Sequence, residues 1–268
     1  MGKVEGVGQA APAFRFADAV TTTPHRTPFQ RLANRLGRRF GIMPYPVTFS
    51  STLPKAGDRD GVFAEIYDKN VWGSGESRSG PGSELGRTER YRRNLLDFLR
   101  RRDIRSMFDA PCGDLNWMIL VLDQWPMDYS GGDISDVAID EARKRRPGVD
   151  VRRFDICRDP FPKAHVWHCR DTLFHLSFAD IWLALRNFAS SDIELALITT
   201  NSARMMTNLD VPTGGFRYLD LERAPFFLPK AQEYLRDTDD DGFPRFVGVW
   251  PAEAISEAIE RAAGAGNG

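Results

Sequence analysis

Short apolar runs alternate with amphipathic segments from Gly61 towards the end of the chain. Each apolar run has the length and the content of β-branched and aromatic residues that are typical of a buried strand. Seven such runs predict strands, at residues 104–108, 129–134, 149–154, 165–169, 193–200, 216–221 and 245–250. Apolar residues at helical spacing lie between most of these runs and predict helices.

This alternation of strands and helices predicts right-handed βαβ units and an open, mostly parallel sheet. The runs at 216–221 and 245–250 have no convincing helix between them, so we expect them to form an antiparallel hairpin at one edge. The predicted fold is therefore α/β and Rossmann-like, with a seven-stranded sheet.

Polar residues that precede apolar helical patterns predict where the helices begin. Thr88 precedes the first clear helix, and Asp114 precedes a helix predicted over residues 115–122. Ser135 and Ser177 precede the next two helices. Side chains of these types accept hydrogen bonds from the free amides of a first helical turn, so we predict all four as N-caps.

Residues 1–55 differ in composition from the rest and are interpreted as an N-terminal extension, followed by a domain over residues 56–268. Within the extension, residues 29–40 carry an apolar stripe at helical spacing beside four arginines. One interpretation is a helix that lies on a membrane surface. The others are a short helix that packs on the domain and a disordered leader.

Composition excludes several classes of function. The 268 residues include 36 Lys and Arg against 37 Asp and Glu, and this balance lacks the basic excess of a nucleic-acid-binding protein. No run approaches the length of a membrane span. The three cysteines are too few and too scattered for a disulfide framework, which favours a reducing cytoplasm. Oligomeric state is not predicted.

Carboxylates follow three successive predicted strands. Asp109, Asp133 and Asp155 stand at the carboxyl ends of the first three, where open α/β sheets bind their ligands. Asp133 comes 20 residues after Gly113 in a tight turn. An acidic residue at this place can accept hydrogen bonds from both hydroxyls of a ribose, although such a residue is also common as a turn or capping aspartate.

The turn from Asp109 to Leu115, DAPCGDL, resembles motif I of the class I S-adenosylmethionine (SAM) methyltransferases. It keeps the acidic residue and the central Gly113, while Pro111 and Leu115 stand where glycines are common. The runs GGDIS (131–135), FDI (154–156) and CRDTLFHL (169–176) follow in the order seen in a bacterial group of these enzymes. The resemblance covers about residues 63–250.

The resemblance implies SAM as cofactor and roles for individual residues. Asp109 and Gly113 would lie beside the methionine moiety, Asp133 at the ribose, and Asp155 with Ile156 at the adenine. Ile134, next to Asp133, is also expected to contact the cofactor. A nicotinamide cofactor is disfavoured, because the chain lacks the glycine fingerprint that lets a pyrophosphate approach the backbone.

A segment rich in small residues, Tyr67 to Ser83, also has a counterpart in that group. We expect Trp72 and Arg78 to help this segment close over the methionine end of the cofactor, with a plain linker as the alternative.

Asp171 and His175 follow the fourth strand, where the acceptor usually faces the methyl group. Either side chain could remove the proton of a hydroxyl acceptor. A metal shared by the two is an alternative, but no further ligand completes such a site, so no metal is predicted.

The bacterial group is often associated with glycans, which implies O-methylation of a sugar in a bacterial glycan or glycolipid. Three alternatives stay open: a non-catalytic binding module of the same fold, an enzyme that methylates a small metabolite, and one that methylates a protein side chain.

Overall fold

The computed structural model describes residues 27–44, 48–49, 58–238 and 243–265. The helices are α1 (Pro28–Arg38), α2 (Arg59–Asp68), α3 (Leu85–Arg101), α4 (Met118–Leu122), α5 (Asp136–Arg145), α6 (Phe178–Ala189) and α7 (Ala252–Ala265). The strands are β1 (Thr48–Phe49), β2 (Ser106–Asp109), β3 (Asp128–Asp133), β4 (Asp150–Arg153), β5 (Val166–Cys169), β6 (Leu195–Asn201), β7 (Phe216–Arg217), β8 (Glu233–Arg236) and β9 (Arg245–Pro251). Short 3-10 turns lie at Pro81–Ser83 and Leu173–His175.

The main sheet has seven strands in the order β4-β3-β2-β5-β6-β9-β8. The pairs from β4 through β6 are parallel, and β9 is antiparallel to both of its neighbours. This arrangement confirms the predicted fold class. The strand order reverses between β2 and β5, so the carboxyl ends of these strands form the expected ligand crevice.

The membership of the edge hairpin differs from the prediction. Strand β9 pairs with β8 and not with residues 216–221. Within that run only β7 is a strand, and it pairs with β1 in a separate two-stranded sheet. Leu219 and Leu221 donate their amides to side chains at the end of β6, so this segment packs against the sheet without extending its ladder.

Two of the four predicted caps are confirmed. Ser135 accepts from the amide of Ala138, and Ser177 accepts from that of Asp180. Thr88 was wrong as a cap, because α3 begins at Leu85 and the Thr88 hydroxyl donates back to a carbonyl at the start of the helix. Asp114 was also wrong as a cap, because α4 begins only at Met118.

Alternate residues of the strands face two apolar layers. On β2, Phe108 belongs to one buried cluster and Met107 to the other, as the two-residue period of a strand requires. Both faces of the sheet are therefore covered. The predicted domain boundary at residue 55 lies outside the described residues.

Candidate active site

A cleft of about 860 Å³, partly open to solvent, lies at the carboxyl ends of β2, β3 and β5. Every site residue predicted from the sequence except Arg78 lines this cleft: Trp72, Asp109, Gly113, Asp133, Ile134, Asp155, Ile156, Asp171 and His175. The strands converge there because the parallel ladder aligns their ends.

Gly113 occupies the tightest point of the turn after β2. Its φ of 59° is in the left-handed region that favours glycine, and an added Cβ would lie 2.3 Å from Oγ of Ser79. The Gly113 amide donates to Oδ2 of Asp133 at 3.0 Å. The turn is thereby fixed to the end of β3.

Leu115 shows how the altered motif keeps its backbone path. It stands where the resembled family often has glycine, and it adopts a φ of 57° although it carries a full side chain. The side chain is buried in an apolar cluster with α3 and α4 residues. Packing thus compensates for a backbone conformation that is costly for a residue other than glycine.

Asp133 is a buried carboxylate held by backbone amides. Oδ2 accepts from Gly113, and Oδ1 accepts from Ser135 at 2.9 Å. Burial, together with the negative charges of Asp109 and Asp114, raises its pKa to about 7 despite these hydrogen bonds. Each oxygen has a second lone pair, which is suited to a hydroxyl donor.

Asp109 supports the floor of the cleft. Its Oδ1 lies 2.6 Å from Nδ1 of His168, and its Oδ2 accepts from the hydroxyl of Tyr129 at 2.8 Å. The other ring nitrogen of His168 lies 2.8 Å from the hydroxyl of Tyr91. This buried network ties together β2, β3, β5 and α3.

Asp155 lies at the far wall of the cleft with a partner that the sequence did not reveal. Its Oδ2 pairs with Arg59 of α2 at 2.6 Å, and its Oδ1 accepts from the amide of Cys157. Arg59 also pairs with Asp180 of α6 at 2.7 Å. Both Arg59 and the neighbouring Ile156 line the cleft.

Asp114 binds the segment that covers the motif I turn. Its carboxylate accepts from the Ser77 hydroxyl at 2.9 and 3.0 Å and from the Arg78 amide at 2.9 Å. The Ser79 hydroxyl accepts from the Asp114 amide at 3.0 Å. We refer to residues 77–79 held in this way as the covering segment.

Trp72 and Arg78 have different positions. The Trp72 ring lines the cleft and lies between those of Tyr67 and His175, with centroids 5.4 Å from each. The guanidinium of Arg78 donates to the carbonyls of Tyr67 and Asp68 at the end of α2, so it is directed away from the cleft lining.

Asp171 lies in the turn after β5 and lines the cleft. It has a φ of 57°, and its amide donates to the Thr199 hydroxyl. Its Oδ2 pairs with Arg170 at 3.1 Å and with Arg245 at 3.4 Å. The carboxylate is therefore already compensated by two positive charges.

Arg170 connects distant parts of the site. It forms a bidentate pair with the fully buried Asp237 at 2.9 and 3.0 Å and donates to the carbonyl of Gly82. Its guanidinium also lies over the rings of Tyr91 and Trp117, 5.3 Å from each centroid. Planar stacking and paired hydrogen bonds are both specific to arginine.

His175 is buried in the same wall. Its Nδ1 lies 2.6 Å from the carbonyl oxygen of Gly215 and must donate to it, so the neutral ring carries its lone pair on Nε2. Burial lowers the pKa of this ring to about 4, with a smaller contribution from the positive charge of Arg217. The imidazole is neutral at physiological pH.

Among the described residues, no three His, Cys, Asp or Glu side chains meet as a metal-binding group.

Comparisons with known proteins rest on structure alone. No known family model and no curated protein matches the sequence. Magnesium protoporphyrin IX methyltransferase from Synechocystis PCC 6803, solved with bound SAM, is 13% identical, with a TM-score of 0.51 over 73% of this chain and 98% of that one. The chain has the class I methyltransferase fold.

A second solved structure matches over a similar share of the chain. It comes from work on the conversion of a disulfide bond into a thioacetal group during echinomycin biosynthesis. Its sequence is 14% identical to this chain, and the TM-score is 0.51. The match covers 78% of this chain and 98% of that one. At sequence identities this low, the structural matches show a shared fold and nothing more. The chemistry must be inferred from the residues of the cleft.

Proposed function

We propose that this protein binds SAM in the cleft and methylates a hydroxyl acceptor. The observation that carries the proposal is the buried Asp133 carboxylate, fixed by the Gly113 amide at the ligand edge of a methyltransferase fold. The neighbour from Synechocystis was solved with SAM bound, which supports the same cofactor here.

The cleft residues fit this cofactor. Asp133 has acceptor capacity for two ribose hydroxyls, while Ile134 and Ile156 offer apolar surface to an adenine ring. Gly113 would lie beside the methionine moiety, with its positive φ maintaining a close backbone approach. When bound, SAM supplies a methyl group made electrophilic by the sulfonium.

His175 is our candidate for the general base. The hydrogen bond from Nδ1 to Gly215 orients the ring, and the neutral form is present above a pH of about 4. Nε2 would take the proton of the acceptor hydroxyl as its oxygen gains the methyl group, and the imidazolium would then release that proton to water.

Asp171 is proposed as a positioning residue. Its Oδ2 is already paired with the guanidiniums of Arg170 and Arg245, which hold the carboxylate in place. Asp171 also lies close to Gly82, because a Cβ added at Gly82 would come 2.8 Å from Oδ2 of Asp171. Asp171 thus supports the loop at the acceptor side.

The acceptor class follows from the sequence resemblance. A sugar hydroxyl of a bacterial glycan or glycolipid is the first class to test, and the Trp72 ring in the cleft is a suitable surface for a sugar. A small metabolite or a protein side chain keeps the same chemistry. The cytoplasmic location expected from the cysteines stays a prediction.

Calorimetric titration with SAM and with S-adenosylhomocysteine, with NADH as control, tests the cofactor. We expect micromolar binding of both sulfur compounds and none of NADH. Failure of both to bind would overturn the proposal. Binding of both without turnover on any acceptor fraction would favour the non-catalytic module.

Turnover of variants tests the base. His175→Gln should lower kcat by about a hundredfold, the usual contribution of a general base, without changing SAM affinity. The control His165→Gln alters an exposed histidine just before β5. Full activity in His175→Gln would show that another group removes the proton.

A further inference from the structure

Helix α1 presents its apolar side to solvent. Phe29, Leu32, Leu36 and Phe40 are 67%, 54%, 61% and 70% exposed, and their spacing places them on one stripe. The residue that α1 buries is the polar Asn34, at 2% exposure. A helix that packs on a globular domain normally buries its apolar face, so this orientation is the reverse of the usual one.

The helix is well formed at its start. Thr27 and Gln30 make a reciprocal capping box, and Pro28 occupies the first helical position. The apolar stripe is therefore presented by an ordered element. Because the helix is already ordered, it loses less conformational entropy when the stripe binds to another surface.

Positive charge lies along one side of this stripe. Four exposed arginines accompany it: Arg31, Arg35, Arg38 and Arg39. No acidic residue occurs between residues 28 and 44. The pattern of apolar side chains beside a cluster of arginines is complementary to a bilayer with anionic headgroups.

The patch continues onto a second segment of the chain. The backbone of Arg204 bonds with those of Gly41 and Met43 just after α1. Met205, which follows, is 64% exposed, and Arg204 is also exposed. The loop after β6 thus places an exposed apolar residue and an exposed arginine beside the end of α1.

The size of the stripe favours a membrane over a protein partner. The stripe is carried by one helix of 11 residues, about 17 Å long. A stable protein interface uses about 20–30 residues on each partner, more than this helix supplies. Shallow insertion into a bilayer requires only one apolar helix face with basic residues beside it.

We infer that α1 and the adjoining Arg204–Met205 form a docking surface for an anionic membrane. Among the described residues no helix is both long and apolar enough to cross a bilayer. Leu32, Leu36 and Phe40 enter the headgroup region, and Arg31, Arg35 and Arg39 bind lipid phosphates. The guanidinium of Arg38 lies over the ring of Phe243 instead.

Co-sedimentation of the full chain with vesicles tests this inference. Binding should be strong to vesicles of phosphatidylserine with phosphatidylcholine, weak to phosphatidylcholine alone, and reduced by salt. Leu32→Ser/Leu36→Ser should lower the partition at least tenfold. Its control is Leu183→Ser/Leu209→Ser, which alters leucines of 43% and 41% exposure elsewhere.

Two double variants, each of which removes two arginines, test the electrostatic contribution to vesicle binding. Arg31→Gln/Arg35→Gln should weaken binding about 25-fold, because each arginine near an anionic surface contributes about fivefold. The control Arg93→Gln/Arg100→Gln removes the same charge from exposed positions on α3.

Three results would overturn the inference: no vesicle binding by the unaltered chain, equal losses in the control variants, or dimers that Leu32→Ser/Leu36→Ser converts to monomers. The last result would assign the stripe to a second copy of the chain. SAM binding measured in parallel keeps this test separate from that of the proposed function.

Discussion

The backbone amide of Gly113 and the carboxylate of Asp133 are joined by a 3.0 Å hydrogen bond across the ends of β2 and β3. Asp133 therefore fixes the motif I turn to the end of β3, and it is the residue that we propose for the ribose of the cofactor. Burial raises its pKa to about 7, so the charge of this side chain changes near neutral pH.

SAM affinity should weaken as the pH falls below about 7. Protonation of Asp133 removes acceptor capacity for the ribose hydroxyls, so Kd should approach a tenfold rise per pH unit. Titrations from about pH 5 to about pH 8 measure this slope. Asp133→Asn should bind weakly at all of these pH values, and an unchanged slope in that variant would assign the titration to another group.

Asp114→Asn should release the covering segment. The carboxylate accepts hydrogen bonds from Ser77 and Arg78, and bonds to a charged acceptor contribute about 1.5–3 kcal/mol each. We expect faster hydrogen exchange at the amides of residues 77–79 and a rise of about tenfold or more in the Kd for SAM. Asp123→Asn, on an exposed ion pair with Arg146, is the control. Unchanged exchange would show that other contacts hold the segment.

Gly113→Ala should destabilise the fold by about 1–3 kcal/mol, because the new Cβ meets Ser79 and adopts an unfavourable φ. Gly148→Ala isolates the backbone contribution, since Gly148 has a φ of 82° and an added Cβ there would enter open space. Urea unfolding of both variants gives the comparison. Adding Ser79→Ala to Gly113→Ala should recover part of the loss, and equal losses at the two glycines would exclude the contact with Ser79.

Asp237→Asn should cost about 3–5 kcal/mol in the free energy of unfolding. The substitution removes one of the two carboxylates that the buried Arg170 and the largely buried Arg245 share, and leaves only Asp171 to balance both arginines. Glu233→Gln breaks the exposed pair with Arg101 and should change stability far less. Similar midpoints in urea for the two variants would contradict this assignment.

The sequence predicts the features that depend on local geometry. Ser135 and Ser177 cap helices because a cap bonds to amides two or three residues away. The carboxylates after β2, β3 and β4 share one cleft because parallel strands align their ends. Periodicity and spacing are sufficient for both results.

Contacts between distant residues were not predictable in the same way. Arg59 meets Asp155 across 96 positions, and Arg170 meets Asp237 across 67. No local pattern marks such pairs. The edge strand β8 was missed for a related reason: its residues EYLR are mostly polar, whereas the apolar run at 216–221 is buried by packing against β6.

The pairing of Arg170 with Asp237 also has a consequence for synthesis on the ribosome. Translation delivers β2, β3 and β5, with all the carboxylates of the cleft, well before residue 237 leaves the exit tunnel. Until then the guanidinium that holds the Gly82 carbonyl lacks its bidentate counter-ion. A nascent chain that stops short of β8 would contain most residues of the proposed cofactor site without the Arg170–Asp237 pair. We therefore expect the cleft to reach its final form late in the elongation of the chain.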